Sequence, residues 1–232
     1  MTTEAAPPRR PGRPAAGSTG IPDEAEILRR GLAAFAELGY ENASVRELAR
    51  RLGVSHNFIN DRYGSKEKFW KAAVGSAQSV ISRDLQHILD REDDAIDRLR
   101  DGIRTFHRGI AANPDLAAVL REEAHSGSDR MRYLYDRHLR PIIDTLRPRL
   151  ERLVAEGRVR PFPVDVILFS AIAMTAATSS APLLRLLGDT ADTDPGSILP
   201  MLSEIVLDGI IAPEPRPRAA PSGPGEAAAA VT

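Results

Sequence analysis

The chain has no cysteine among its 232 residues. That excludes disulfides, thiolate zinc centres, iron–sulfur clusters and cysteine nucleophiles, and it is compatible with a reducing compartment. Lysine is nearly missing as well. Of 31 basic residues only Lys66, Lys68 and Lys71 are lysines, and they lie within six positions of one another. Net charge is close to absent at −1, an average that by itself gives no support to a polyanionic partner. There is no His-Glu-x-x-His, no glycine-rich phosphate loop and no Gly-x-Ser-x-Gly. The five histidines, at 56, 87, 107, 125 and 138, assemble no activating constellation. Glu122, Glu123 and His125 form the densest ligand-like group, but that spacing does not put all three on one helical face. The expectation is a protein that is not an enzyme and carries neither metal nor cofactor.

Long apolar runs are also scarce. One stretch, 166–184, is free of charge for 19 residues, near the length of a membrane span. Five serines and threonines, Pro182 and the lack of a second span or a flanking basic cluster argue against insertion. It reads as a buried or subunit-interface helix. The first 20 residues contain no apolar segment of the secretory type, so a cytoplasmic protein is expected.

Ten of the 18 prolines fall in residues 1–22 and 213–232. These ends lack large apolar side chains to offset the entropy of ordering, and 1–20 and 213–232 are expected to be disordered, the first of them basic. Between them every periodic stretch is helical. Leu28, Leu32, Phe35 and Leu38 make one stripe before Gly39. Ile96, Leu99, Ile103, Phe106 and Ile110 make a second. Met131, Leu134, Tyr135, His138, Ile142, Leu146, Leu150 and Leu153 make a third, with a kink or break expected at Pro141 and Pro148. The fold class is all-α.

Residues 44–66, SVRELARRLGVSHNFINDRYGSK, carry the chemistry. Ser44 and Glu47 have the spacing of a capping box. Leu48, Ala49 and Leu52 give the helix a buried face, and Gly53 ends it. Val54 fills the turn, Ser55 has the position to cap a second helix with Ile59 and Tyr63 inward, and Gly64 ends that one. Ser65 then caps a third helix bearing Phe69 and Trp70. Two short helices joined by Gly-Val-Ser make a helix-turn-helix, which needs the helices at 22–38 and 65–90 as walls.

The second helix then points His56, Asn57, Phe58, Asn60, Asp61 and Arg62 outward. Asn57 and Asn60 can pair bidentately with adenine. Phe58 either meets a thymine methyl group or packs on Val54 or the next helix. Arg62 can take phosphate or guanine, and Asp61 either orients Arg62 or reads cytosine. Ser44, Arg46, Lys66 and Lys68 stand at helix starts, where backbone amides already attract phosphate. With Ser55 and Tyr63, these residues form the candidate DNA-binding set of the motif at 44–63. The near-zero charge is segregated accordingly. Residues 46–71 sum to +4 and hold every lysine, whereas 76–232 sum to −4.

Residues 22–75 resemble the N-terminal domain of the TetR family of bacterial transcriptional regulators. The likeness rests on Phe35…Leu38-Gly39-Tyr40, Ser44-Val45-Arg46-Glu47-Leu48-Ala49, Leu52-Gly53-Val54-Ser55 and Ser65-Lys66-Glu67. The chain departs from the family where a Leu-Tyr-x-Tyr-Phe run is usual and Ile59-Asn60-Asp61-Arg62-Tyr63 stands instead. The resemblance implies a DNA-binding domain at 21–81 and a ligand-binding and dimerisation domain at 82–212. It also implies a homodimer joined through 165–187 and 197–211 on a near-palindromic double-stranded operator. The implied activity is repression relieved by a small hydrophobic effector, whose binding respaces the recognition helices; control by a protein partner, or by no effector, is the alternative. Candidate lining residues for the pocket are Phe106, His107, Arg121, Glu122, His125, Tyr133, Tyr135, His138, Phe169 and Met174. Arg9-Arg10-Pro11-Gly12-Arg13-Pro14 is similar to an AT-hook core. It reads either as a minor-groove arm through Arg9, Arg10 and Arg13 or as a proline-rich tail with incidental arginines.

Overall fold

A computed structural model describes residues 22–175, 186 and 195–213. Contacts divide the chain into two units, Met1–Ser79 and Val80–Thr232.

The first unit contains α1 (Glu24–Leu38), α2 (Val45–Leu52), α3 (Phe58–Tyr63) and the start of α4 (Lys66–Leu89). Local chemistry sets these boundaries. Asp23 caps α1 by accepting from the Glu26 amide at 2.8 Å, and Ser65 Oγ accepts from the Lys68 amide at 3.1 Å. Ser44 Oγ accepts from the Glu47 amide at 3.2 Å, one half of the expected capping box. The Glu47 carboxylate does not complete the other half. It is held by Arg50 at 2.6 Å and Arg51 at 2.9 Å, because a guanidinium fork offers a carboxylate two charge-assisted donors and a backbone amide offers one neutral donor. Gly53 adopts φ 70°, and the Val54 amide reaches back to the Ala49 carbonyl at 3.1 Å. That Schellman closure needs a left-handed residue, which glycine adopts without strain.

The expected cap at Ser55 is a correction. Ser55 offers its carbonyl, not its hydroxyl, to the Phe58 amide at 3.0 Å, so Ser55-His56-Asn57 is a turn and α3 starts at Phe58. The core of this unit is filled by Ile27, Phe35, Leu48, Leu52, Ile59, Phe69 and Trp70, all 0–1% exposed. The Phe35 and Phe69 rings are 5.9 Å apart, and Gly31 leaves the space that Phe69 occupies: a Cβ there would lie 2.4 Å from the ring.

The second unit contains the rest of α4, then α5 (Ala95–Ala111), α6 (Pro114–Ser126), α7 (Asp129–Leu134), a π-helical stretch (Tyr135–Leu139), α8 (Arg140–Ala155), α9 (Val164–Ala173) and α10 (Pro195–Ile210). Val159 and Ile211 pair as a single antiparallel bridge. The core joins α5, α8, α9 and α10 through Leu99, Ile103, Leu150, Leu153, Ile167 and Leu207.

Two stripes differ from expectation. On α5 the buried set is Ile96, Leu99, Ile103, His107 and Ile110, with His107 inward where the apolar pattern favours Phe106. In the third stripe the Arg140 amide bonds to the Tyr135 carbonyl, one residue further back than in an α-helix. The wider turn shifts the register, leaving Tyr135 exposed and His138 half-buried. The break expected at Pro141 takes this form. No break occurs at Pro148, which lies within α8 and is exposed, as is Asp144, the residue whose carbonyl loses its partner.

Candidate functional site

In the first unit, α2, the turn and α3 project a polar surface from a closed apolar core. Ile59 is fully buried, while His56, Asn57, Asn60, Asp61 and Arg62 are exposed. An open cleft of about 400 Å³ brings Ser44, Arg46 and His56 together with Arg50 and Val54. Its donors are the start of α2, Arg46, His56 and Arg50, the last of them paired with the Glu47 carboxylate that also lines the cleft. Arg50 belongs here although it is absent from the sequence-derived set. The signal for it was its spacing of four from Arg46, which puts both on one face of α2. Arg50 and Arg51 hold the Glu47 carboxyl down at about 2, so the anion beside the cleft stays ionised.

Besides Ser44, four residues of the candidate set have side-chain partners within the unit. Lys66 Nζ donates to the Tyr40 carbonyl at 2.9 Å and sits 4.2 Å over the Tyr40 ring. Half-buried, it fastens the start of α4 to the α1–α2 loop. Phe58 lies 6.4 Å from the Tyr63 ring of its own helix, and Tyr63 lies 4.8 Å from Phe69 of α4. Arg62 is not oriented by Asp61. Its guanidinium pairs with Glu24 at the start of α1, and the Tyr63 hydroxyl donates to the same carboxylate at 3.3 Å. Burial pushes the Tyr63 phenol up, keeping it a donor. Lys68 is exposed near the start of α4.

The second unit encloses an apolar cavity of about 90 Å³. Its walls are Leu85 and Leu89 of α4, Leu99, Gly102, Ile103 and Phe106 of α5, Leu139, Ile142, Ile143, Leu146 and Leu150 around α8, and Ile167, Leu168, Ala171 and Ile172 of α9. Arg98 is the one charged residue on this wall, and its Nη1 donates to the carbonyls of Arg91 (3.1 Å) and Asp93.

Of the ten residues expected to line a pocket, Phe106 does so. His107 faces the helix–helix seam instead, with Nε2 2.7 Å from the Ala171 carbonyl and Nδ1 2.5 Å from Ser203 Oγ. Burial pushes its pKa down, so the ring is neutral near pH 7. A carbonyl only accepts, so Nε2 carries the proton, while Nδ1 and the Leu199 carbonyl, 2.7 Å from Ser203 Oγ, compete for the single hydroxyl proton of Ser203. Arg121, Glu122 and His125 are exposed on α6, while Glu123 between them is buried against Arg130 (2.8 Å) and Ser128 (2.5 Å). Tyr133 and His138 form an edge-to-face pair at 5.8 Å, and Tyr135 is exposed. Phe169 is 70% exposed, and Met174 packs on the core. Tyr135 and His138 lie on the widened turn, which shifts the faces that simple periodicity assigns, and His107 is held at the seam.

Phe169 belongs to an uncovered apolar surface. Val166 and Phe169 stand out from α9, and Met201 (62% exposed) and Ile205 (63%) from α10. Gly209, one turn beyond Ile205, has open space where a side chain would be. Among the described residues no three potential ligands gather to hold a metal, and no helix is long and apolar enough to cross a membrane. The part of 166–184 beyond Thr175, and the arginines Arg9, Arg10 and Arg13, lie outside the described residues.

Comparison with known proteins points one way. Residues 27–73 match the family model described as bacterial regulatory proteins, tetR family. The chain is 30% identical over 145 residues to the HTH-type transcriptional repressor AcnR of Corynebacterium diphtheriae, covering 61% of this chain and 71% of that one. The fold is similar to that of the ketosteroid transcriptional regulator KstR2 of Mycobacterium tuberculosis (TM-score 0.64, 21% identity, 81% and 94% of the two chains). It is also similar to FadR of Bacillus subtilis, solved in complex with stearoyl-CoA (TM-score 0.60, 16% identity, 81% and 100%).

Proposed function

Because this chain belongs to the tetR family of bacterial regulatory proteins, we propose that it is a cytoplasmic repressor that binds a near-palindromic operator as a homodimer and leaves it on binding a small hydrophobic effector. That it is a DNA-binding transcriptional regulator is the premise; the operator, the dimer and the effector are the reading. On DNA, Asn57 and Asn60 read bases, while Ser44, Arg46, Arg50, His56 and Lys68 meet phosphates. Lys66, engaged by Tyr40, serves the fold of the reading head.

The observation that carries the effector is the apolar cavity in the second unit. A unit regulated only through its surface has no use for such a void, which costs packing energy. Its walls favour a largely hydrocarbon ligand, with Arg98 as the one charged group among the described lining residues that a ligand charge could meet. The names of two structural neighbours, a ketosteroid regulator and a FadR bound to stearoyl-CoA, point to the same ligand chemistry. Support for the dimer comes from the apolar face of α9 and α10, where a second copy would cover Phe169, Met201 and Ile205.

The test begins with selection of duplexes from a randomised pool by the full chain. A selected sequence with two inverted half-sites, and a dimer by gel filtration, are expected. Medium- and long-chain fatty acids, their coenzyme A esters and steroids are then titrated against that complex. Release of the DNA by one class, lost in Gly102→Leu, which fills the cavity, supports the reading. No release by any class, with a protein partner needed instead, replaces it with the alternative.

A further inference from the structure

Among the ion pairs on the reading head, one ties the end of the recognition helix to a residue distant in sequence. Arg62 closes the recognition helix α3, and its guanidinium is paired with Glu24, 38 residues earlier in the first turn of α1. Tyr63, the next residue, donates to the other oxygen of that carboxylate at 3.3 Å. Both oxygens are therefore used, and both partners come from the end of α3. Arg62 and Glu24 remain about half exposed, at 48% and 52%. Water reaches the pair, so it can open without unfolding anything. Asp61, adjacent on α3, is exposed and does not hold Arg62.

A phosphate oxygen would accept from the Arg62 guanidinium as the Glu24 carboxylate does. Engaging it means exchanging one anion for another and leaving Glu24 ionised beside a polyanion. The exchange removes most of what a free arginine contributes to DNA of any sequence, a contribution set by counterion release. We propose that Glu24 is a specificity-determining residue: it withholds Arg62 from the phosphate backbone, lowering non-specific affinity more than affinity for the preferred sequence. Phosphate contacts add to all sequences alike, whereas the base contacts assigned to Asn57 and Asn60 add only where the bases fit. Removing one indiscriminate contact therefore raises the ratio between specific and non-specific binding. The inference rests on the DNA-binding reading above.

The experiment measures binding of the full chain to a random-sequence duplex of roughly 30 bp, long enough for two half-sites, and to the best duplex from the randomised pool, each across a salt series. Glu24→Gln keeps the shape of the side chain and leaves the Asp23 cap of α1 in place. It should tighten binding to the random duplex by about threefold or more and steepen the salt slope by about 0.9 per engaged head. The ratio of the two affinities should fall. Glu24→Gln in the Arg62→Gln background should no longer tighten random-duplex binding by that factor. An unchanged slope in Glu24→Gln overturns the proposal. So does tightening that persists without Arg62, which would reduce Glu24 to general repulsion. If the unaltered chain binds neither duplex, the DNA-binding reading fails first, an outcome separate from equal binding by both proteins.

Discussion

The two units put their apolar residues to different use. In the first, Phe35, Phe69 and Trp70 close a core without space to spare, and the charged residues lie outside in ion pairs. In the second, apolar side chains surround a cavity on the inside and stand uncovered on the outside of α9 and α10. Polar groups show the reverse. His107, Glu123 and Ser203 are buried in the second unit, each with partners. A reading head must hold a fixed surface against DNA, and a filled core does that. On the proposed reading the second unit leaves room for a ligand and a face for a partner copy, and both lower the stability its sequence could reach.

Truncation gives the largest contrast. Trp70→Ala should destabilise the first unit by about 3–5 kcal/mol, the range for a fully buried aromatic, and abolish DNA binding while the second unit keeps its structure. Because Trp70 is the only tryptophan, the variant is best followed by amide hydrogen exchange. Loss of protection confined to 22–79 is expected, and loss spread evenly over both units would erase the contrast.

A matched pair sharpens it. Gly31 and Gly102 both lie inside helices, but a Cβ at Gly31 meets Phe69 at 2.4 Å while one at Gly102 meets nothing within 4 Å. Gly31→Ala should cost about 1–3 kcal/mol by overpacking. Gly102→Ala should stabilise by about 0.5–1 kcal/mol, the usual gain on replacing a helical glycine. Denaturant melts read both signs directly. Destabilisation by Gly102→Ala would mean that the cavity wall has no room.

The same contrast governs how legible each unit was. The boundaries of α1, α2 and α4 follow from caps and stops only a few residues apart, such as Ser44 with Glu47 and Gly53 with Ala49, so a reader of the chain finds them. The helix-turn-helix and its outward face follow as well, and the family resemblance agrees. The start of α3 was misplaced because Ser55 closes a turn through its carbonyl, and serine in a turn looks like serine at a cap. Non-local pairs are invisible to spacing: nothing near Arg62 announces Glu24. The second unit depends on such relations throughout. A periodic stripe tells which face is apolar but not whether it meets a core, a cavity or solvent, and so Phe106 and Phe169 looked alike. The π-helical turn before Pro141 then moved Tyr135 and His138 off the face that periodicity gave them.

The smallest effect expected is also the one most particular to the second unit. His107 is neutral because burial holds its pKa below the ordinary 6.5. In the unfolded chain the ring titrates near that ordinary value. As pH falls below about 6.5 the unfolded state takes up a proton that the folded state refuses, so stability declines until the folded pKa is passed. Above 6.5 the contribution is fully present. The depressed carboxylates Asp94 and Glu47, each at about 2, lose their contribution only in more acid solution, so the interval from pH 6.5 to 5.5 reports His107 together with His138, whose pKa burial and the neighbouring Arg137 also lower. Trp70 fluorescence should report a first-unit transition that barely moves over this interval, while far-ultraviolet circular dichroism should show the second unit losing stability. His107→Gln supplies an amide that can donate to the Ala171 carbonyl and accept from Ser203 without titrating. It should remove the part of the pH dependence that His107 carries, leaving that of His138, and keep the seam between α5, α9 and α10 closed. An unchanged slope in that variant would assign the titration to another group and leave His107 a structural bridge alone.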